Sequence, residues 1–218
     1  MERERYRRER LGIWAENGGD NVIPAASWEA CYDPAWPQTL ELERVAIGVD
    51  VPPDHMSGVI AVAGFRKDTG DLCVELYDQR PGIDWIAPTL REILDARGRT
   101  PILLDGSSAA TALGTDFRKR RVRPKLLNRK MYAQGCGQFL DAVVNTRLLH
   151  RGQRDLSRAV GQASRTDRET SLWIWKKTDA THNISPLCAA TLAVRGALDQ
   201  REGKSIKALK PSGQALVL

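Results

Sequence analysis

Apolar residues recur with two different periods along the chain, and the first part of the pattern predicts strands. Val45 to Val51 is a short apolar run with Asp50 near its end, which is typical of a buried strand. Ser57 to Phe65 is rich in small and branched residues, and Leu72 to Asp78 alternates apolar with polar side chains. With the turn residues Lys67 to Asp71 between the last two, these runs predict an antiparallel meander of three strands.

Beyond residue 84 the apolar positions change to helical spacing. Asp84 fits an N-cap and Gly98 a helix stop, and short apolar runs then alternate with helical stretches. We predict helices over residues 85–97, Ala109 to Arg120, Met131 to Leu149 and Ser185 to Leu198, and strands over Pro101 to Gly106, Val122 to Leu127 and Leu172 to Trp175.

The order of these elements indicates an α/β fold. Three meander strands, a helix, a strand, a helix, a strand and further helices predict a mixed sheet of five or more strands flanked by helices. This order fits the ribonuclease H-like arrangement, in which the first and fourth strands lie side by side in the middle of the sheet. Residues 1–44 are predicted to be a lead-in arm or linker, residues 45–200 the main domain and residues 201–218 a tail. Trp14, Trp28 and Trp36 of the arm are expected to pack on the main domain or on a neighbour.

Composition adds the expectation of a soluble protein and a weak preference for polyanions. The 218 residues include 33 Lys and Arg against 27 Asp and Glu, which gives a formal charge of +6. The sequence contains no stretch of about 18 apolar residues, so no membrane span is predicted. The N-terminus lacks the apolar core of a secretory signal, so we expect a cytoplasmic protein. Cys31, Cys73, Cys136 and Cys188 form no CxxC pair, which disfavours a zinc site or a disulfide framework.

Two predicted strands end in an aspartate, Asp50 and Asp105. If these strands are parallel neighbours, the two carboxylates meet at one edge of the sheet and repel each other. Mg²⁺ or Mn²⁺ resolves such repulsion, because hard cations prefer oxygen ligands, and two such ions can drive phosphodiester cleavage. The alternative is that both aspartates only cap turns. The loop from Gly106 to Ser108 is likewise either a phosphate-facing loop or a plain turn.

The densest positive charge lies between residues 118 and 130, where Asp and Glu are absent. A run of one sign favours phosphate contact, with a solvated face as the alternative. His150 is a candidate catalytic or phosphate-side group, or else a polar surface residue. Trp173 and Trp175 alternate on the late strand, where they either stack bases or pack on a sheet face. The predicted DNA-binding residues are Arg118, Lys119, Arg120, Arg121, Arg123, Lys125, Arg129 and Lys130.

Six stretches follow one another in a fixed order: Val45 to Asp50, Glu75 to Trp85, Leu103 to Gly106, Gln138 to Val143, Leu149 to Gln153 and Asn183 to Ala193. Together they resemble the C-terminal nuclease domain of phage large terminase subunits, the motors that package DNA into capsids. The resemblance implies a two-metal endonuclease that uses Mg²⁺ or Mn²⁺ to cut concatemeric double-stranded DNA. It also implies the ATPase domain, the small terminase and the portal as partners, no membrane contact, and a place in the host cytoplasm.

The resemblance also assigns roles to single residues. The family has an acid just before its final helix, where this sequence has Asn183. Asp50 and Asp105 are therefore implied as catalytic metal ligands, with Asn183 as a weakened third ligand. Asp179, four residues before Asn183, and Asp54 are further candidate ligands, and His182 is adjacent to Asn183. The P-loop of the family's ATPase, GxxxxGK[ST], does not occur in this sequence.

Three other interpretations stay open at this point. A neutral Asn183 also fits an inactive remnant that only binds DNA or packaging partners. Another ribonuclease H-like enzyme, such as a resolvase or transposase, is disfavoured by the Ile184 to Leu187 helix start. A plain structural module would bind no metal.

Overall fold

Strands and helices alternate along the chain after an antiparallel start. The computed structural model describes residues 22–36, 41–166, 172–177 and 183–203. Its strands are β1 Leu42–Asp50, β2 Ser57–Arg66, β3 Leu72–Pro81, β4 Ile102–Asp105, β5 Lys125–Leu127 and β6 Leu148–His150. Its helices are α1 Ala25–Ala30, α2 Ile86–Arg97, α3 Gly114–Lys119, α4 Arg129–Val144, α5 Arg154–Gly161 and α6 Ser185–Arg201, with a 3₁₀ turn, Ala109–Leu113, before α3.

These six strands form one mixed sheet in the order β5-β4-β1-β2-β3-β6. The first three pair antiparallel, as the predicted meander does, while β4 lies parallel to β1 with Ile47 opposite Ile102. The predicted central neighbours are therefore confirmed, and with them the ribonuclease H-like α/β class. β5 extends the sheet beyond β4, and β6 lies parallel to β3 at the opposite edge.

Helices cover both faces of the sheet. Val59 and Leu103 belong to the core under α1, α4, α5 and α6, which we call the α6 face. Their neighbours along the strands, Ile60 and Leu104, belong to the core under α2 and α3, which we call the α2 face. The alternation follows from the two-residue period of a strand. None of the helices in the described ranges is long and apolar enough to cross a bilayer.

Two glycines let α6 lie directly against β1. A Cβ at Gly48 would overlap the Ala189 carbonyl oxygen and lie 2.6 Å from the Ala193 nitrogen. A Cβ at Gly196 would lie 2.6 Å from the Ala46 Cβ. Because α6 therefore runs antiparallel to β1 at close range, its first turn lies beside the C-terminal end of that strand.

The helix predicted over Met131 to Leu149 is shorter in the structure. α4 ends at Val144, and Thr146 turns the chain with a positive φ of 52°. Leu148–His150 then pairs with β3 as a strand. The prediction of helix for its last residues was wrong because the apolar pair after the turn buries itself equally well in a sheet edge.

Two further elements differ in kind from their predictions. The late strand predicted over Leu172 to Trp175 is, in the described part of the chain, a single bridge between Arg165 and Trp175. The helix predicted over Ala109 to Arg120 begins as a 3₁₀ turn before it continues as α3. Both changes leave fewer regular backbone hydrogen bonds near the C-terminal ends of the central strands.

Part of the predicted arm contributes to the core. Ile23, Trp28 and Cys31 are buried on the α6 face, and the Trp28 indole nitrogen donates to the Ser157 hydroxyl at 3.1 Å. Trp36 is partly buried on the α2 face. Trp14 lies outside the described residues. Two of the three tryptophans thus pack on the main domain, while the predicted domain boundaries stay a prediction.

Candidate active site

Asp50 and Asp105 end the two central strands at the same edge of the sheet. Each lies three residues beyond the register pair Ile47–Ile102, so the parallel strands place the two aspartates side by side. Adjacent strands are about 4.8 Å apart. Both side chains are buried, with exposures of 0% and 6%. The structure therefore brings together the two acids on which the predicted metal site depends.

The Lys177 ammonium lies against Asp50. Its Nζ donates to Asp50 Oδ1 at 2.6 Å, and 20% of the lysine side chain is exposed. The segment that carries it is anchored by Trp175, whose indole nitrogen donates to the Thr191 hydroxyl of α6 at 2.9 Å. Sequence reasoning missed Lys177. The period of two that places Trp175 and Lys177 on the same side of an extended chain is the signal that points to it.

The Asp50–Lys177 pair keeps opposite charges in a buried place. Burial raises the pKa of the Asp50 carboxyl, Lys177 and the nearby Ser185 hydroxyl oppose that rise, and the Asp105 charge adds to it. Burial lowers the pKa of the Lys177 ammonium, but the surrounding charges, Asp50 first, hold that pKa above its usual value. Two carboxylates at one edge need positive charge nearby, and Lys177 supplies one unit of it.

The remaining hydrogen-bonding capacity of the two aspartates fits a cation. Asp105 Oδ1 accepts hydrogen bonds from the Ser107 backbone nitrogen at 2.9 Å and from its hydroxyl at 2.7 Å. Asp50 Oδ2 is buried and has no hydrogen-bond partner among the described residues. Adjacent carboxylate oxygens, one of them unpaired, are the donor set that hard divalent cations prefer. Within the described ranges, no group of three or more His, Cys, Asp or Glu residues is arranged to hold a metal ion.

Asn183 lies at the mouth of α6, but its oxygen has a partner. Asn183 Oδ1 accepts a hydrogen bond from the Ser185 backbone nitrogen at 3.0 Å, and its amide nitrogen approaches the Ser57 hydroxyl at 3.5 Å. The side chain therefore satisfies one of the free N–H groups at the start of the helix. An aspartate here would keep that bond and place a second, charged oxygen where the amide nitrogen now lies.

The other candidate ligands are not placed at this edge by the structure. Asp54 is exposed in the turn after β1, where its Oδ1 accepts a hydrogen bond from the Met56 backbone nitrogen at 3.0 Å. Asp179 and His182 lie outside the described residues. A ligand role for each of these residues stays a prediction.

The predicted DNA-binding stretch divides into two groups along the sheet. β5 runs parallel to β4, and Leu127 at its end is opposite Asp105. Arg129 and Lys130 follow in the first turn of α4, at the edge that carries the aspartates. Residues 118–123 precede β5 and therefore lie toward its N-terminal end, away from the strand ends that carry the aspartates. The eight basic residues of the stretch are exposed except for Lys125, which is partly buried.

His150 and Trp175 have structural surroundings. His150 is 2% exposed, its Nε2 lies 2.9 Å from the Trp28 carbonyl oxygen, and its Nδ1 accepts from the Gly152 nitrogen at 3.0 Å. Trp175 is 2% exposed and meets Trp173 edge to face at 4.8 Å between ring centroids. Packing, the second interpretation of the paired tryptophans, is therefore the one that fits Trp175. Neither interpretation of His150, a catalytic or phosphate-side group or a polar surface residue, fits this burial, because the ring is enclosed between α1 and the sheet.

The sheet order, the helices on both faces and the paired aspartates define an α/β protein of the ribonuclease H-like class. Among solved structures, the nuclease domains of phage large terminases are similar to this chain, which has the fold of that domain. The HK97 bacteriophage large terminase is similar with a TM-score of 0.65 and 15% identity, over 82% of this chain and 44% of that chain.

Two structures of a separate nuclease domain are similar over nearly their whole length. The large terminase nuclease from thermophilic phage G20c has a TM-score of 0.61 and 11% identity, over 80% of this chain and 97% of that chain. The same nuclease with bound magnesium has a TM-score of 0.59 and 12% identity, over 81% and 97%. By contrast, the chain spans less than half of the HK97 large terminase. No protein-family model matches the sequence, and no curated protein matches it.

Proposed function

We propose that the chain is a metal-dependent DNA endonuclease domain of a phage or prophage packaging terminase, which cuts concatemeric double-stranded DNA. The observation that supports this most is the pair of buried carboxylates at the ends of β1 and β4. Asp50 and Asp105 lie on neighbouring parallel strands, and Asp50 Oδ2 has no partner among the described residues. The shared fold with phage terminase nucleases, which include structures with magnesium, cobalt and manganese, supports it further.

The residues at this end of the strands have different proposed roles. Asp50 and Asp105 would hold two Mg²⁺ or Mn²⁺ ions with the oxygen of Asn183 beside them, and Asp54 and Asp179 remain further candidate ligands. When bound, such ions supply an activated water and positive charge for the leaving oxygen. Lys177 balances the charge of Asp50, and its ammonium offers a charge-assisted hydrogen bond to a scissile phosphate.

The proposed DNA-binding residues lie at different distances from the two aspartates. Arg129 and Lys130 lie at the positive N-terminal end of the 16-residue helix α4, whose first turn holds no acidic residue. Two cations at that end repel the helix dipole, and a bound phosphate relieves this repulsion. We therefore assign phosphates close to the scissile bond to these two residues. Phosphates further along the duplex would contact residues 118–125, which include Arg118, Lys119, Arg120, Arg121, Arg123 and Lys125.

The proposed context is a packaging complex. The HK97 protein is more than twice the length that this chain covers. A separate ATPase domain, a small terminase and a portal are the partners that we propose for such a complex, with double-stranded DNA as the substrate. Cutting would then occur in the host cytoplasm at the start and the end of packaging.

Plasmid nicking in Mn²⁺ tests the proposed activity. The wild-type chain should convert supercoiled DNA to open circles, and chelation of the metal should stop the reaction. Asp50→Asn and Asp105→Asn should both be inactive per folded molecule, and Asp50→Asn should also be less stable because the Lys177 ammonium loses its counter-charge. Asp95→Asn is the matched control, since Asp95 is exposed and pairs with Arg91 on the surface of α2, and it should cleave normally. Equal nicking by all of these proteins would exclude the two aspartates as the site.

A second candidate function, an inactive DNA-binding remnant, is favoured by the state of two residues. The Asn183 oxygen accepts from the Ser185 nitrogen, and Lys177 pairs with the carboxylate that a metal requires. A remnant would bind DNA with steep salt dependence but show neither nicking nor a metal-dependent rise in thermal midpoint. Nicking that requires Asp50 excludes it.

A further inference from the structure

A β-bulge turns the end of β3 toward the two aspartates. The pairing of β2 with β3 shifts by one residue between Ile60 and Ala61, so Tyr77 is an extra residue of β3. Because side chains alternate along a strand, one inserted residue moves every later side chain to the other face. Gln79, which pairs with Val59, therefore lies on the α6 face.

Gln79 belongs to the same row of the sheet as Asp50 and Asp105. Val59 of β2 pairs with Asp50 on one side and with Gln79 on the other. Directly paired residues of neighbouring strands share a face. Two strand spacings of about 4.8 Å put the Asp50 and Gln79 Cα atoms about 10 Å apart. One water bound between the ends of two such side chains fits this separation.

The side-chain oxygen of Gln79 is buried and unpaired. Gln79 Oε1 has no hydrogen-bond partner in the part of the chain that the structure describes, and the same is true of Asp50 Oδ2. Buried acceptors are nearly always paired, because an unpaired one loses its hydration without compensation. The Asp50 oxygen fits a cation, whereas the neutral Gln79 oxygen in the same row requires a donor, and a water between the two side chains supplies one.

We propose that Gln79 is a positioning residue whose Oε1 accepts a hydrogen bond from the water that attacks the scissile phosphate. Gln79 gains and loses no proton in this role, and only orients the water. The inference rests on the proposed nuclease function and adds a residue from β3 to the site. It also explains the bulge at Tyr77, because without the extra residue the Gln79 side chain would lie on the α2 face.

The kinetic test replaces the acceptor and keeps the volume. Gln79→Met should lower kcat for plasmid nicking by about 100-fold, the usual contribution of one oriented group. KM for DNA should stay within about twofold of the wild-type value, and the thermal midpoint should not fall. Gln79→Glu keeps an acceptor at this position and should retain most of the rate that Gln79→Met loses. Wild-type kcat in Gln79→Met would overturn the proposal.

A second readout does not depend on cleavage. Gln79→Glu adds a negative charge to the row of Asp50 and Asp105, so Mn²⁺ alone should raise its thermal midpoint more than it raises that of the wild type. An identical Mn²⁺ response in the two proteins would place Gln79 away from the site and overturn the proposal. If the wild type binds Mn²⁺ but does not nick DNA, the proposed function fails, and this comparison still decides the position of Gln79.

Gln153→Met is the matched control. Gln153 also contacts β3, but its amide is fully used, since it accepts from the Leu76 nitrogen at 2.7 Å and donates to the Leu76 oxygen at 2.8 Å. Its replacement should lower the thermal midpoint and leave kcat, KM and the Mn²⁺ response unchanged. A fall in kcat of similar size in both variants would show that Gln79 acts only through the stability of β3, and would overturn the proposal.

Discussion

Two buried polar clusters, one around Asp50 and one around His150, differ in how completely their hydrogen bonds are made. Both ring nitrogens of His150 have partners, and the ring stacks on Trp28 at 3.8 Å between centroids. Asp50 is at least as deeply buried, yet among the described residues Lys177 pairs with its Oδ1 and its Oδ2 has no partner. Burial is therefore common to both clusters, and the unpaired acceptor distinguishes the proposed site.

The difference has a physical basis. A fully paired buried group stabilises one structure, because every alternative leaves a donor or an acceptor unsatisfied. Since the Gly152 nitrogen donates to Nδ1, the proton of His150 is on Nε2, which donates to the Trp28 oxygen. An unpaired buried carboxylate oxygen is costly until it binds a cation. The first cluster should thus respond to substitution in stability, and the second in activity.

The largest expected effect separates the two clusters by activity. Asp50→Asn should reduce nicking to background while His150→Phe, assayed at pH 7 per folded molecule, should cleave at close to the wild-type rate. The reason is that only Asp50 lies among the groups that would hold the metal. Initial nicking rates in Mn²⁺, normalised to the folded fraction from circular dichroism, measure this contrast. A comparable loss in both variants would remove the distinction between the clusters.

The second prediction concerns stability in acid. Burial lowers the pKa of His150 from 6.5 to about 4, and the hydrogen bond to the Trp28 carbonyl opposes that change. Between these pH values the unfolded chain binds a proton that the native chain does not. Stability is therefore complete above pH 6.5 and falls as the pH drops toward 4, by up to about 3 kcal/mol.

Urea unfolding at several pH values measures this loss. His150→Phe should be less stable than the wild type at pH 7 by about 1–3 kcal/mol, because the Gly152 nitrogen loses its acceptor and the Trp28 oxygen loses one of its two donors, the Cys31 nitrogen remaining at 3.1 Å. The slope of its stability between pH 6.5 and 4 should be smaller than that of the wild type. Parallel pH profiles for the two proteins would show that His150 is not the titrating group.

The third prediction concerns the charge of residue 183 and its effect on metal binding in the Asp50 cluster. Asn183→Asp adds a negative charge at the mouth of α6, the proposed third ligand position, and should tighten Mn²⁺ binding and raise the cleavage rate, each by at least about tenfold. We expect the wild type to need high metal and to prefer Mn²⁺ over Mg²⁺, because Mn²⁺ tolerates softer and less regular ligands. Calorimetric titration and nicking rates are the measurements. Unchanged values would mean that Asp179 or another acid already fills the third place.

The smallest expected effect divides the basic stretch. Removing two charges from either group should lower the slope of log affinity against log salt by about 2. Only the pair Arg129→Ala with Lys130→Ala should also lower kcat, because these residues lie at the Asp105 edge. The control pair is Arg118→Ala with Arg120→Ala, toward the opposite edge. Filter binding across salt concentrations and nicking rates measure both quantities, and an equal effect on kcat would refute the assignment.

The amino-acid sequence by itself determined the order of the strands β1 to β5, the helices α2, α3, α4 and α6, and the two aspartates. Hydrophobic period is a local property, so Ser57 to Phe65 predicts a strand and Ser185 to Leu198 a helix without knowledge of their partners. An acid at the end of a buried apolar run is local in the same way, which is why Asp50 and Asp105 could be found. The side-by-side position of their strands followed from the order of elements.

Tertiary structure alone decided which groups surround those aspartates. Lys177 pairs with Asp50 across 127 residues of chain, and Gln79 reaches the same face only through the extra residue in β3. The apolar run that includes Leu148 suits a helix or a sheet edge equally, and its pairing with β3 decides between them. The physical reason is common to all three cases. A local pattern specifies the period and the apolar side of a segment, while its partner and its face depend on how distant segments pack together.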